Sequence, residues 1–92
     1  MDPYIQAIVR IIKEQEAIIG PIAVDQARKV AGLQVSGVDD VKIVGDKKTV
    51  LDGLVKQYAK LFGQASVEVC KEAMEPLIDK ISQSDIPDIL KS

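Results

Sequence analysis

Residues 8–30, IVRIIKEQEAIIGPIAVDQARKV, and residues 51–73, LDGLVKQYAKLFGQASVEVCKEA, align without a gap at a constant offset of 43. Lys13/Lys56, Gly20/Gly63 and Val24/Val67 are identical, and physical character is kept at Ile8/Leu51, Ile11/Leu54, Ile12/Val55, Ile18/Leu61, Ile19/Phe62, Ala23/Ser66, Asp25/Glu68, Ala27/Cys70 and Arg28/Lys71. Each copy reads as an apolar-striped helix, a glycine corner and a second helix of small residues. The expected fold is therefore mainly α, a four-helix arrangement of two pseudo-repeated helical hairpins with a short β-like connector and a short C-terminal helix. One domain, 1–92, divides into repeat one at about 3–32, a connector at 33–47, repeat two at about 48–82 and a tail at 83–92.

Working outward from the repeats, Asp2-Pro3 opens the first helix, because a carboxylate caps free backbone N–H groups and proline suits the first helical position. That helix is expected over Pro3 to Ala17, with Ile5, Ile8, Val9, Ile12 and Ile19 recurring every three or four residues. Gly20-Pro21 then stops it and starts another, predicted to run from Pro21 to Ala31 with Gly32 as its stop. In the connector, Val41 to Val44 is strand-like beside turn-forming Ser36-Gly37 and Asp39-Asp40, so a small hairpin or single strand is expected. Asp46 or Thr49 caps a third helix reaching Phe62, whose buried stripe is Val50, Leu51, Leu54, Val55, Tyr58 and Leu61, with the Tyr58 hydroxyl at the rim. A fourth helix runs from Gln64 or Ala65 towards Ile81, interrupted at Pro76 for want of a backbone donor. Ser84 is the expected cap of a final turn carrying Ile86, Ile89 and Leu90.

Composition narrows the chemistry. Hydrophobic residues make up 47% of the 92 residues, but Phe62, Tyr4 and Tyr58 are the only aromatics, so a core of Ile, Val, Leu and Ala is required and no platform exists for stacking bases. A net charge of −2 with cations and anions interspersed gives no electrostatic call to nucleic acid or to an anionic membrane, and neither is an expected partner. A lone Cys70 and an N-terminus without the regions of a secretory signal make the cytoplasm the expected compartment. The longest apolar stretch, Ala17 to Val24, is too short to span a bilayer and is broken by Gly20-Pro21.

The absence of histidine removes the commonest general acid–base and the commonest transition-metal ligand, and no nucleophile–base pair can be recognised, so the chain is expected not to be an enzyme and to take no cofactor or metal. Cys70, aligned with Ala27 and flanked by Val67 and Met74, reads as a packing thiol. Asp39-Asp40 and Asp46 lack the spacing of a calcium loop and read as turn and capping carboxylates. The string Gly45-Asp46-Lys47-Lys48-Thr49 lacks P-loop spacing and reads as a loop-to-helix cap. Gly20, Pro21 and Gly63 are expected to be structural corners.

The segment EAIIGPIAVDQARKV, through Ile19 to Ala23 and Ala27, resembles uncharacterised helical domains at the C-termini of prokaryotic signalling and regulatory proteins, in which an IGPIA-type turn precedes an alanine-rich helix. The second copy departs from it, with Gly63-Gln64-Ala65-Ser66 at the corner. The resemblance implies a non-catalytic regulatory or interaction role.

An apolar fraction this high on so short a chain points to a face left for a second molecule. The expected function is a small protein–protein interaction or self-association module, its partner another copy (a homodimer) or another protein. Tyr4, Ile5, Ile43, Ile86, Ile89 and Leu90 are the candidate interaction surface. The alternative is a small-ligand carrier or sensor with an apolar pocket between the hairpins, where Ala23, Ala27, Ser66 and Cys70 free volume.

Overall fold

The computed structural model describes residues 2–91 and is mainly helical with one small antiparallel sheet. Helix α1 covers Pro3–Ile19 and starts on the Asp2 carboxylate, which accepts from the Tyr4 backbone N–H at 2.8 Å. It outruns its expected end by two residues, because Gly20 supplies the terminating conformation at φ 78°, ψ −159° and its N–H donates to the Glu16 carbonyl oxygen. Helix α3 (Lys47–Phe62) repeats the pattern: the Asp46 carboxylate accepts from the Thr49 N–H at 2.9 Å, and Gly63 ends the helix at φ 77°, ψ −163° with its N–H on the Ala59 carbonyl oxygen.

Helix α2, Ile22–Ala27, is shorter than expected. Its last turn tightens into three-residue bonds, Lys29 N–H to Gln26 and Val30 N–H to Ala27, so that the chain can reach Gly32. Gly32 sits at φ 83°, and a β-carbon there would lie 2.6 Å from the Val44 carbonyl oxygen and 2.8 Å from a Val50 methyl. Only glycine lets the backbone pass this close. The connector then pairs β1 (Leu33–Gly37) with β2 (Asp40–Ile43), Leu33 opposite Ile43 and Val35 opposite Val41, with an irregularity between Val35 and Gly37. A two-stranded sheet is marginal alone. It leans on α1 and α2 through buried Leu33 and Val41, and the exposed Lys13–Asp39 ion pair at 2.7 Å reaches from α1 to its turn.

Helix α4, Gln64–Met74, ends where Pro76 approaches, and the chain continues as 3-10 turns at Glu75–Lys80, Gln83–Asp85 and Asp88–Leu90. The expected helix to Ile81 is thus cut short, and Ser84 caps no turn: it lies inside Gln83–Asp85, which Ser82 precedes, while Pro87 takes the capping position of Asp88–Leu90.

Helix α1 runs antiparallel to α4, and α3 to α2. Between α1 and α4, Gln15 Nε2 donates to the Ser66 carbonyl oxygen at 3.1 Å, and Arg10 Nε donates to the Ala73 carbonyl oxygen at 2.8 Å. Between α3 and α2, the Tyr58 hydroxyl donates to the Ala23 carbonyl oxygen at 2.6 Å, and just past the end of α2 Gly53 brings α3 so near Val30 that an added β-carbon would sit 3.3 Å from its methyl. Each contact of the second pair lies 43 positions from its counterpart in the first: 15 and 66 become 58 and 23, while 10 and 73 become 53 and 30.

Candidate functional site

The end of the bundle where α1 and α3 stop holds both glycine corners. The Gln15–Ser66 and Tyr58–Ala23 bonds tie the four helix ends there into a ring, α1 to α2 through Gly20, α2 to α3 through Tyr58, α3 to α4 through Gly63, and α4 back to α1 through Gln15. Gln15, Tyr58 and Ser66 are buried, as is Cys70, whose sulfur lies 3.6 Å from Gln15 Nε2. Among the described residues no buried side-chain oxygen or nitrogen lacks a partner, so this polar layer is closed.

That layer occupies the space the sequence left open. Ala23, Ala27, Ser66 and Cys70 are all buried, with the Tyr58 ring against the first turn of α2 and the Gln15 amide against the first turn of α4. The Tyr58 hydroxyl is accordingly interior rather than at the rim, and burial pushes its ionisation above the ordinary range for tyrosine. Burial likewise pushes the Cys70 thiol up to about 11, with the Gln15 amide pulling slightly the other way. A thiol held neutral inside apolar packing is a poor nucleophile.

Outside this layer the corner end is apolar. Ile18 is 63% exposed, Leu61 47%, Ile22 42% and Phe62 38%. The expected placing of Leu61 on the buried stripe of α3 is overturned: Tyr58 and Leu54 already fill the inward positions, and Leu61 turns outward beside the corner. Residues 17–22, AIIGPI, and 61–65, LFGQA, contain no charged side chain, in a chain that is 28% charged. The two corner segments are therefore uncharged, with Asp25 and Lys60 in the adjoining turns, and among the described residues they hold four of the five exposed large hydrophobic side chains, Val44 being the fifth. Periodicity could not find it, since a residue one turn from a helix end belongs to the stripe on paper while the chain reverses before anything covers it.

The opposite end is where the sequence placed the interaction surface, and there the structure requires a correction. Ile86 and Leu90 are buried in the chain's own core, Ile86 at 1% exposure, because the 3-10 tail folds back over α3 and α4. Tyr4, Ile5, Ile43 and Ile89 are half-buried and pack against the same core. The Tyr4 hydroxyl donates to the Asp85 carbonyl oxygen at 3.4 Å, and the Lys47 ammonium lies 5.6 Å from the Tyr4 ring centre while pairing with Asp2. Hydrogen bonding to Lys47 is the main reason that the Asp2 carboxyl stays below its usual range, and hydrogen bonding by the Thr49 hydroxyl does the same for Asp46. The Gly45–Thr49 string is thus a helix cap.

A shallow depression of about 390 Å³ lies beside α3, lined by Lys48, Thr49, Asp52, Lys56, Pro87, Asp88 and Ile89. Its charges are mixed, and Lys56 is already paired with Asp52 at 2.8 Å. No group of three or more metal-ligating side chains occurs among the described residues, and no helix there is long and apolar enough to cross a membrane. No family model, no curated protein and no solved structure matches this chain.

Proposed function

We propose that this chain is a small non-catalytic interaction module that docks other protein surface through its corner end. The observation that carries the reading is the uncharged, exposed group Ile18, Ile22, Leu61 and Phe62, mounted on a rigid hydrogen-bonded layer. A surface held in place before binding loses little conformational freedom on association. The two hairpins are, in this reading, copies related by a pseudo-twofold axis running along the bundle, and the reciprocal contacts 15–66 and 58–23, with 10–73 and 53–30, support it. The similarity of Ile19–Ala23 to IGPIA-type turns supports a place in signalling or regulation, and the interspersed charge supports a protein partner over nucleic acid.

Photo-crosslinking tests this directly. A benzophenone amino acid installed in place of Ile18 or Phe62, in cells making the chain, yields protein adducts, while the same group at exposed Lys42 on the sheet does not. Equal labelling from all three positions, or none from the corner, rejects the reading.

A further inference from the structure

We infer that the occupant of the corner end is a second copy of this chain, joined as an isologous dimer in which the Gly20 corner of each copy covers the Gly63 corner of the other. The inference rests on the docking surface proposed above and adds its partner and register.

Three observations lead to it. First, an isologous contact places a surface against itself, which a charged patch resists, and residues 17–22 and 61–65 carry no charge to repel. Second, with Asp25 paired to Arg28 and Glu68 paired to Lys71, the charges left at the rims of the two corners differ in sign. Glu14 and Glu16 lie on the last turns of α1, whereas Lys60 lies on the last turn of α3, and among the described residues none of the three has an ion-pair partner within the chain. A pseudo-twofold surface can meet its copy in two registers, like corner on like or like on unlike. Like on like would face Glu14 and Glu16 with their own duplicates. The crossed register sets them against Lys60 twice over, so the charge pattern selects it.

Third, area sets the strength. The exposed parts of Ile18, Ile22, Leu61 and Phe62 leave on the order of 400 Å² in water, the size at which a patch on a monomer is often functional. Covering it on both copies removes about 800 Å², and adding Ala17, Pro21, Gln64 and Ala65 brings the total only to the small end of stable interfaces, near 1,200 Å². The dimer is therefore weak and reversible, with a dissociation constant on the order of 10–100 μM.

Sedimentation equilibrium from about 5 μM to 1 mM reads this out, with circular dichroism confirming that each variant is folded. The natural chain is expected to pass from monomer to dimer across the range, and Ile18→Glu, at a position open to solvent, to stay monomeric throughout. Lys60→Glu weakens association about tenfold, and adding Glu16→Lys to the same chain brings it back to within about threefold. Exposed ion pairs contribute modestly, so the rescue is small, but its direction is specific to the crossed register. A natural chain that is monomeric at 1 mM, a dimer indifferent to Ile18→Glu, or a charge reversal that fails to rescue overturns the inference. Its failure is separable from that of the docking surface: crosslinks from Ile18 and Phe62 to a different protein, with a monomer in the centrifuge, reject the second copy and keep the surface.

Discussion

Both ends of this bundle carry large apolar residues in sequence, and those residues meet opposite fates. At the end where α1 and α3 begin, Ile86 and Leu90 look like sticky tail residues, yet the tail folds back and places them in the core. At the corner end, Ile18 and Leu61 look like stripe residues, yet the chain turns at Gly20 and Gly63 before anything covers them. Apolar character alone does not say which side chains are left in water; the path of the backbone after them does.

Measurements on paired variants can break this contrast, and the largest effect is expected at the covered end. Ile86→Ala should cost about 2–4 kcal/mol by chemical denaturation, as for a fully buried aliphatic side chain, while Ile18→Ala should stay within about 0.5 kcal/mol. Comparable costs would mean that the tail is loosely held and that the ends do not differ. Tyr58→Phe comes next, at about 1–3 kcal/mol, since it strips the donor from the buried Ala23 carbonyl oxygen. Gln15→Met should cost a similar amount by exposing the Ser66 carbonyl oxygen to the same loss. A tyrosine hydroxyl removed without effect would show that the polar layer does not brace the corner.

Alkaline pH probes the same layer from another side. The folded Cys70 thiol ionises at about 11 against 9.0 for an unperturbed thiol, so its contribution is intact below pH 9 and is lost as pH rises through the folded value. Tyr58, also raised, acts in the same direction at still higher pH. Thermal melts between pH 8 and 11 should fall by the equivalent of roughly 2 kcal/mol, and Cys70→Ala should flatten the lower part of that fall. An unchanged pH profile in Cys70→Ala would deny the thiol its role.

The smallest effects belong to the corners themselves. Gly20→Ala and Gly63→Ala meet no atom within 4 Å, so each should lose only about 1 kcal/mol through its positive φ, and the two losses should match. Gly32→Ala, which runs into the Val44 carbonyl, should lose distinctly more.

Much of the architecture was legible because local rules were obeyed. Asp2-Pro3 and Asp46 start helices, Gly20 and Gly63 end them, and Pro76 interrupts one, each for reasons contained within a few residues. The small sheet followed from Val41–Ile43 and its turn residues. What escaped was non-local. Gln15 and Tyr58, 43 positions apart, differ in size and shape, yet each sends a side-chain donor to the first turn of another helix, α4 and α2 respectively. The early end of α2 likewise depends on how closely Gly32 must approach Val44.

By itself, then, the order of residues determined where the helices begin and that glycine corners stop α1 and α3, because capping, proline and glycine effects act within a turn or two of the chain. Which apolar residues would meet water, and which dissimilar pair would lock the corners, was decided only when the helices packed. Burial depends on the whole surface that a folded chain presents to each side chain, and no short window of sequence contains it.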